Sequence, residues 1–63
     1  MSWKAYPLHW KGRAVGQAVS VLDKFVFYSP ERSLSAIDGA RFDSLNDARI
    51  EISRLMEGRG ALP

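Results

Sequence analysis

Apolar residues in the first half of the chain recur with the period of β-strands, whereas those in the second half recur with the period of one helix. Between residues 6 and 28 they fall on both sides of the predicted strands, so two sheet faces need cover. The single convincing helix, residues 44–57, shields only one of them. The pattern therefore predicts an uncovered second face, and such a surface commonly binds a partner.

The first predicted strand surrounds Pro7. Tyr6, Leu8 and Trp10 alternate with polar or turn-forming residues, which is the period of a half-buried strand. Proline cannot donate a ladder hydrogen bond, so we expect this strand at an edge of the sheet.

Two further strands follow, separated by short turns. Lys11-Gly12 forms the first turn, and residues 13–22 continue as a strand with a bulge or kink at Gly16. Asp23-Lys24 is the next predicted turn. Residues 25–28 give the strongest strand signal, because all four are aromatic or β-branched.

The segment after Pro30 has two interpretations. Residues 31–37 tolerate a helical turn, whereas residues 34–37 alone also fit a short last strand. We favour the strand, because the chain must reach the Asp38-Gly39 turn in an extended form.

The helix has recognisable ends. Ser44 is a good N-cap, and Asp47 follows at the spacing of a capping box. Gly58 is the predicted C-terminal stop. Its apolar face is formed by Leu45, Ala48, Ile52, Leu55 and Met56. The predicted fold is thus α+β, an antiparallel meander of three or four strands followed by one C-terminal helix packed on one face. Residues 1–58 form the domain, and residues 59–63 form a flexible tail.

The second sheet face needs cover from elsewhere. The N-terminal segment with Met1 and Trp3 can fold over it, or two copies of the chain can pack together, and we favour a homodimer. Small domains often need such help, because they bury little surface on folding. The predicted interface residues are Phe25, Phe27, Tyr28 and, on the outer side of the helix, Ile50.

The amino-acid composition excludes several kinds of site and segment. The chain of 63 residues is 46% hydrophobic and 25% charged, values typical of a folded domain, and it contains no cysteine. Disulfides and thiolate metal sites are therefore excluded, and the absence of cysteine fits a cytoplasmic protein. No apolar stretch approaches the roughly 18 residues of a membrane span.

Catalysis is not expected. The single imidazole, His9, sits on a predicted edge strand with no nucleophile paired to it. Asp38, Asp43 and Asp47 each have a structural role in a turn or at the helix start, and their spacing is not that of a calcium loop. We predict a non-enzymatic protein with no metal, no cofactor and no small-molecule substrate.

Positive charge is concentrated in the strand half. The net charge is +3 over residues 1–29 and −1 over residues 30–63. Cations beside an aromatic ring are typical of nucleic-acid binding, in which cations contact phosphate and rings stack on bases. The predicted nucleic-acid-binding residues are Lys4, Trp10, Lys11, Arg13 and Lys24. The alternative is a protein-interaction or self-assembling domain.

Residues 37–48 resemble a known junction. Gly39, Phe42, Ser44 and Ala48 match the Gly-x-x-Phe-x-Ser/Thr-x-x-x-Ala passage of small three-stranded-sheet-plus-helix domains. These include AP2-type domains and the arm-binding N-terminal domains of tyrosine integrases. The resemblance covers about a fifth of the chain. It implies a sheet whose open face lies in the DNA major groove and reads it with arginine and lysine.

Overall fold

A computed structural model describes residues 4–61. The elements in chain order are β1 (Ala5–Trp10), β2 (Arg13–Val21), β3 (Lys24–Tyr28), a 3-10 helix (Arg32–Ile37), β4 (Arg41–Phe42) and α1 (Leu45–Ala61). The strands pair antiparallel in the order β1-β2-β3-β4. The predicted α+β meander with a C-terminal helix is therefore confirmed, with four strands. Met1 and Trp3, which we considered as cover for the second face, lie outside the described residues.

The core lies between α1 and one face of the sheet. Ala48 and Ile52 of α1 are buried against Leu8 of β1 and Phe27 of β3. The remaining buried members of this cluster are Val15, Ala18, Leu34 and Ile37. Burying one large apolar side chain stabilises a protein by about 1.5–3 kcal/mol, more than a typical surface ion pair. The predicted apolar face of the helix is confirmed, because all five of its residues belong to this core or pack against it.

β2 contains the predicted irregularity, one residue away from Gly16. Leu8 pairs with Gly16 and His9 pairs with Ala14, so Val15 is an extra residue in β2. This β-bulge turns Val15 toward the core, where it is fully buried. Gly16 itself lies under the ring of Phe27.

The two hairpin turns differ in how well their residues suit them. Lys11 and Gly12 both have positive φ, 51° and 81°, as the favoured two-residue hairpin turn requires. The predicted second turn at Asp23-Lys24 is wrong by one position, because Val21 pairs with Lys24 and leaves Leu22-Asp23 as the loop. Leu22 therefore takes a φ of 56°, which a leucine side chain rarely adopts.

The preference for a strand at residues 34–37 is wrong. The segment is the 3-10 helix Arg32–Ile37, in which the Leu34 N–H donates to the Glu31 carbonyl oxygen at 3.1 Å. A repeat of three residues places Leu34 and Ile37 on the same side, and both are buried. An extended strand would have sent these two side chains to opposite faces. The last strand instead follows Gly39, as β4.

The predicted start of the helix is confirmed, but its predicted end is wrong. The Asp47 N–H donates to Ser44 Oγ at 3.1 Å, which is the N-cap bond. α1 continues through Gly58 to Ala61. A terminating glycine needs positive φ, and Gly58 is not among the residues that adopt it.

We expect Gly16→Ala to lower the free energy of unfolding by about 1–3 kcal/mol. A Cβ at this position would lie 2.6 Å from the Tyr28 carbonyl oxygen and 2.7 Å from Phe27 Cζ. Gly58→Ala is the matched control. Its Cβ meets open space inside a helix, so stability should rise by about 0.5–1 kcal/mol. Urea unfolding measures both variants, and a neutral Gly16→Ala would contradict the close contact.

We expect Leu22→Asn to raise the free energy of unfolding by about 1 kcal/mol, because asparagine tolerates the left-handed conformation that leucine resists. The Leu22 side chain is 97% exposed, so its removal costs no core packing. Leu22→Ala is the control, since alanine lacks the short polar side chain whose local hydrogen bonds let asparagine tolerate this conformation, and so keeps the strain. An equal gain from both variants in thermal unfolding would contradict the conformational explanation.

Candidate functional site

The sheet face opposite α1, which we name the open face, is largely accessible. Strand alternation and pairing assign eleven residues to it: Ala5, Pro7, His9, Ala14, Gln17, Val19, Val21, Lys24, Val26, Tyr28 and Arg41. Eight of these eleven residues are exposed. Val19, which pairs with Ala5 and Val26, is the buried exception. The face is thus a mixture of small apolar, aromatic and cationic side chains.

The β-bulge opens a shallow hollow in this face. Because Val15 and Gly16 both turn toward the core, β2 sends no side chain to the open face between Ala14 and Gln17. The backbone of Val15 and Gly16 becomes the floor of a depression of about 620 Å³. The other lining residues are Pro7, Ala14, Gln17, Tyr28, Ser29, Pro30 and Asp38.

Ser29 satisfies the polar backbone groups at the side of the hollow. Its hydroxyl donates to the carbonyl oxygen of Val15, the extra residue of the bulge, and accepts the Glu31 N–H at 3.0 Å. The Ser29 N–H in turn donates to Asp38 Oδ1 at 3.0 Å. The Asp38 carboxylate is thereby held at the rim. The hollow is a fixed part of the fold, because each of these bonds depends on the bulge or on the chain that leaves β3.

Cations gather at the end of the sheet nearest the hollow, and we name Lys11, Arg13, Glu31 and Arg32 the basic end. Lys11 Nζ lies 5.3 Å from the centre of the Trp10 ring, a cation–π contact. Arg13 Nη1 donates to Glu31 Oε2 at 2.8 Å, which brings the start of the 3-10 helix beside the first hairpin. Arg32 follows Glu31 directly. Three cations and one carboxylate give this group a net charge of +2.

The predicted nucleic-acid-binding residues do not form one patch. Lys11 and Arg13 lie at the basic end, but Lys4 and Lys24 lie at the opposite end of the strands, since Lys4 bonds to Ser20 and Lys24 pairs with Val21. The six residues of β1 separate Lys4 from Lys11 by roughly 20 Å.

Lys24 is also engaged by a carboxylate. Its ammonium donates to Asp43, and this hydrogen bond together with the charge of Asp43 raises the pKa of Lys24 above its ordinary value. Lys24 is therefore fully charged at neutral pH, but the neighbouring Asp43 carboxylate compensates much of this charge. A solvated pair of this kind adds little stability.

Trp10 is not a freely exposed ring of the kind that stacks on bases. It shares the core side of β1 with Leu8 and packs against the core while remaining partly buried. The Lys11 ammonium lies over the Trp10 ring. In this arrangement, the ring orients a cation at the basic end.

The predicted interface residues divide between two sides of the molecule. Phe27 has no exposed surface, so its assignment to an interface is corrected to the core. Phe25 also faces the core side, where it makes an edge-to-face contact with Tyr6 at 5.9 Å. Tyr28 and Ile50 are 47% and 55% exposed. They lie on the open face and on the outside of α1, so one flat contact cannot contain both.

β1 is a free edge of the sheet, as Pro7 predicted. The bond from the Ser20 N–H to the Lys4 carbonyl fixes which residues of β1 bond to β2. By alternation, the backbone groups of Ala5, Pro7 and His9 point outward. Pro7 sits at the centre of this row and has no N–H to offer. Pairing of β1 with another strand is therefore weakened at its middle.

Sequence reasoning missed Arg32 and the hollow. Arg32 belongs to the half of the chain with net negative charge, and only the Arg13–Glu31 contact shows that it joins the first hairpin. Pro30, which ends β3 and turns the chain, was the available signal. Within residues 4–61 no cluster of metal-ligating side chains occurs, and no helix there is long and apolar enough to cross a membrane.

Comparisons with protein-family models, with curated proteins and with solved structures found no match to this chain. The resemblance of residues 37–48 to AP2-type and integrase arm-binding domains stays a prediction based on those residues. The function of this protein is therefore inferred from the chemistry of its site.

Proposed function

We propose that this protein is a small non-enzymatic nucleic-acid-binding module, acting through the basic end and the adjoining open face. The observation that carries the proposal is the grouping of Lys11, Arg13 and Arg32 at one end of the sheet, where Arg13 pairs with Glu31 and Lys11 lies over Trp10. The planar guanidinium of arginine can donate two hydrogen bonds to phosphate oxygens. A lysine already held over an aromatic ring loses less conformational entropy when it binds. The proposal includes a cytoplasmic location, which the lack of cysteine supports.

The charge of the open face favours an anionic partner over a second copy. Its two charged residues outside the basic end, Lys24 and Arg41, are both cationic, and none of its eleven residues is acidic, while Asp43 compensates part of the Lys24 charge and Asp38 borders the hollow. Face-to-face packing of two copies would bring like charges together, which opposes association. A phosphate backbone complements the same charges.

We expect the protein to bind nucleic acid at about 50 mM salt and to lose affinity steeply by about 200 mM, because bound phosphates release counterions. Arg32→Gln should weaken binding about threefold to tenfold and reduce the salt slope by about one. Fluorescence anisotropy with labelled duplex and single-stranded oligonucleotides gives both quantities.

Arg49→Gln is the matched control for Arg32→Gln. It removes the same charge from an exposed arginine of α1 that is not one of the residues of the basic end. Its affinity should stay close to that of the natural chain. Equal losses in both variants would show that net charge alone attracts the nucleic acid. Absence of binding to every probe at low salt would refute the proposed function.

Self-association is the second candidate, and the exposed apolar residues of the open face favour it. Val21 and Tyr28 are 45% and 47% exposed on either side of Val19 and Val26. This row would be covered if two copies packed through the open face. The free edge of β1 contributes little to self-association, because Pro7 leaves its row of backbone N–H donors incomplete.

If this second candidate holds, sedimentation of the protein should give a homodimer, and Tyr28→Glu should convert it to a monomer. Ile50→Glu is the control, because it places the same charge at an exposed apolar position on the other side of the molecule. A monomer at the highest accessible concentration would contradict self-association. Equal dissociation by both variants would contradict the open face as the interface.

A further inference from the structure

We infer that the hollow of the open face holds an unstacked nucleobase, so that the protein prefers single-stranded nucleic acid to a duplex. This inference rests on the proposed function and specifies its ligand. It follows from the shape of the hollow, from the chemistry of its rim and from the position of the basic end beside it.

The shape suits a flat ring. The hollow is broad, shallow and mostly apolar, and its volume of about 620 Å³ lies within the range of small-molecule sites. Its floor is backbone, because the bulge removed the side chain that would have filled it. Tyr28 forms one wall with nearly half of its surface exposed, and Pro7 and Pro30 add further apolar surface. A base can stack on the Tyr28 ring, as bases do on the aromatic residues of single-strand binders.

The polar groups at the rim determine how a bound base is oriented in the hollow. Asp38 borders the hollow beyond β3, and its carboxylate accepts hydrogen bonds while repelling phosphate. The Gln17 amide borders the same hollow and both donates and accepts. Exocyclic amino groups of bases are natural donors to such acceptors. The base edge is therefore expected near Asp38 and Gln17, with the phosphate directed away from them.

At this end of the sheet, cations adjoin the lining of the hollow along the chain. Ala14, at the edge of the hollow, directly follows Arg13, and Pro30, on the facing wall, directly precedes Glu31 and Arg32. The Arg13–Glu31 ion pair joins the two segments just beyond these lining residues. Arg13, Arg32 and Lys11 can contact the backbone of the strand whose base occupies it. This charge complementarity selects an anionic strand over an uncharged apolar ligand.

A duplex does not meet these requirements. Its bases are stacked and paired, and extruding one costs a few kcal/mol. A single strand offers its bases already free, so the hollow contributes binding energy only to the single strand. The basic end contributes to both forms through phosphate.

The experiment compares a labelled single strand of about ten nucleotides with a hairpin duplex of similar charge, by anisotropy at two salt concentrations. We expect the single strand to bind at least about tenfold more tightly. Tyr28→Ala should weaken single-strand binding about tenfold with an unchanged salt slope, whereas Tyr28→Phe, which keeps the ring, should retain it.

A second variant tests the hollow without removing the ring. Ala14→Leu adds bulk at an exposed position of the hollow's edge and should abolish the preference for single strands while leaving duplex affinity unchanged. Circular dichroism confirms that each variant is folded.

The outcomes separate the inference from the proposed function. Salt-dependent binding with equal affinity for both probes, or full single-strand affinity in Tyr28→Ala and Ala14→Leu, would overturn the base site and leave the nucleic-acid function standing. Failure of the natural chain to bind either probe at low salt would overturn both.

Discussion

The contact between the Phe27 ring and the backbone of Gly16 is the constraint on which the rest of the structure depends. Phe27 is the largest fully buried side chain within residues 4–58, and no space remains beside it for a Cβ at Gly16. The ring anchors β3 to β2 on the core side, and the bulge beside Gly16 adds Val15 to the same core. A chain of 63 residues has few large buried side chains, so this arrangement supplies a large share of its hydrophobic stabilisation.

The same bulge connects the core to the candidate site. Its effect on the core side is one more buried residue, and its effect on the open face is one missing side chain, which leaves the hollow. Ser29 then binds the carbonyl of the bulged residue and leads the chain toward Glu31 and Arg32. Core packing, the hollow and the basic end therefore arise from one local departure from regular pairing. Bulges are used in this way near functional sites in many sheets.

The elements predicted well from the sequence are those whose signals are local. Pro7 indicated the edge, Lys11-Gly12 the first turn, and Ser44 with the apolar stripe that follows it the start and face of α1. The errors occurred where tertiary packing overrides local preference. Leu22 adopts an unfavourable φ because cross-strand pairing fixes the loop at that position. The segment Arg32–Ile37 coils because Leu34 and Ile37 must reach the same core.

The candidate site was predictable only in part. The cations and the aromatic ring of the first hairpin are visible in the sequence, and the structure places them together. Lys4 and Lys24 carry the same charges, but strand pairing puts them at the opposite end of the sheet. The hollow has no sequence signature beyond Gly16, because it results from a register shift. Arg32 belongs to the site as the neighbour of Glu31, whose ion pair with Arg13 links residues 18 positions apart.

The two lateral edges of the sheet have a consequence for the behaviour of the protein at high concentration. At one edge, Pro7 interrupts the outward row of donors of β1. At the other, β4 pairs with only two residues of β3, and the Ala40 carbonyl and Gly39 N–H occupy the backbone groups of Phe27 that follow. Within residues 4–61, neither edge presents a long, complete ladder on which another molecule could extend the sheet, which is the template that fibril growth requires. The folded chain can thus expose apolar strand surface without offering a seed for amyloid.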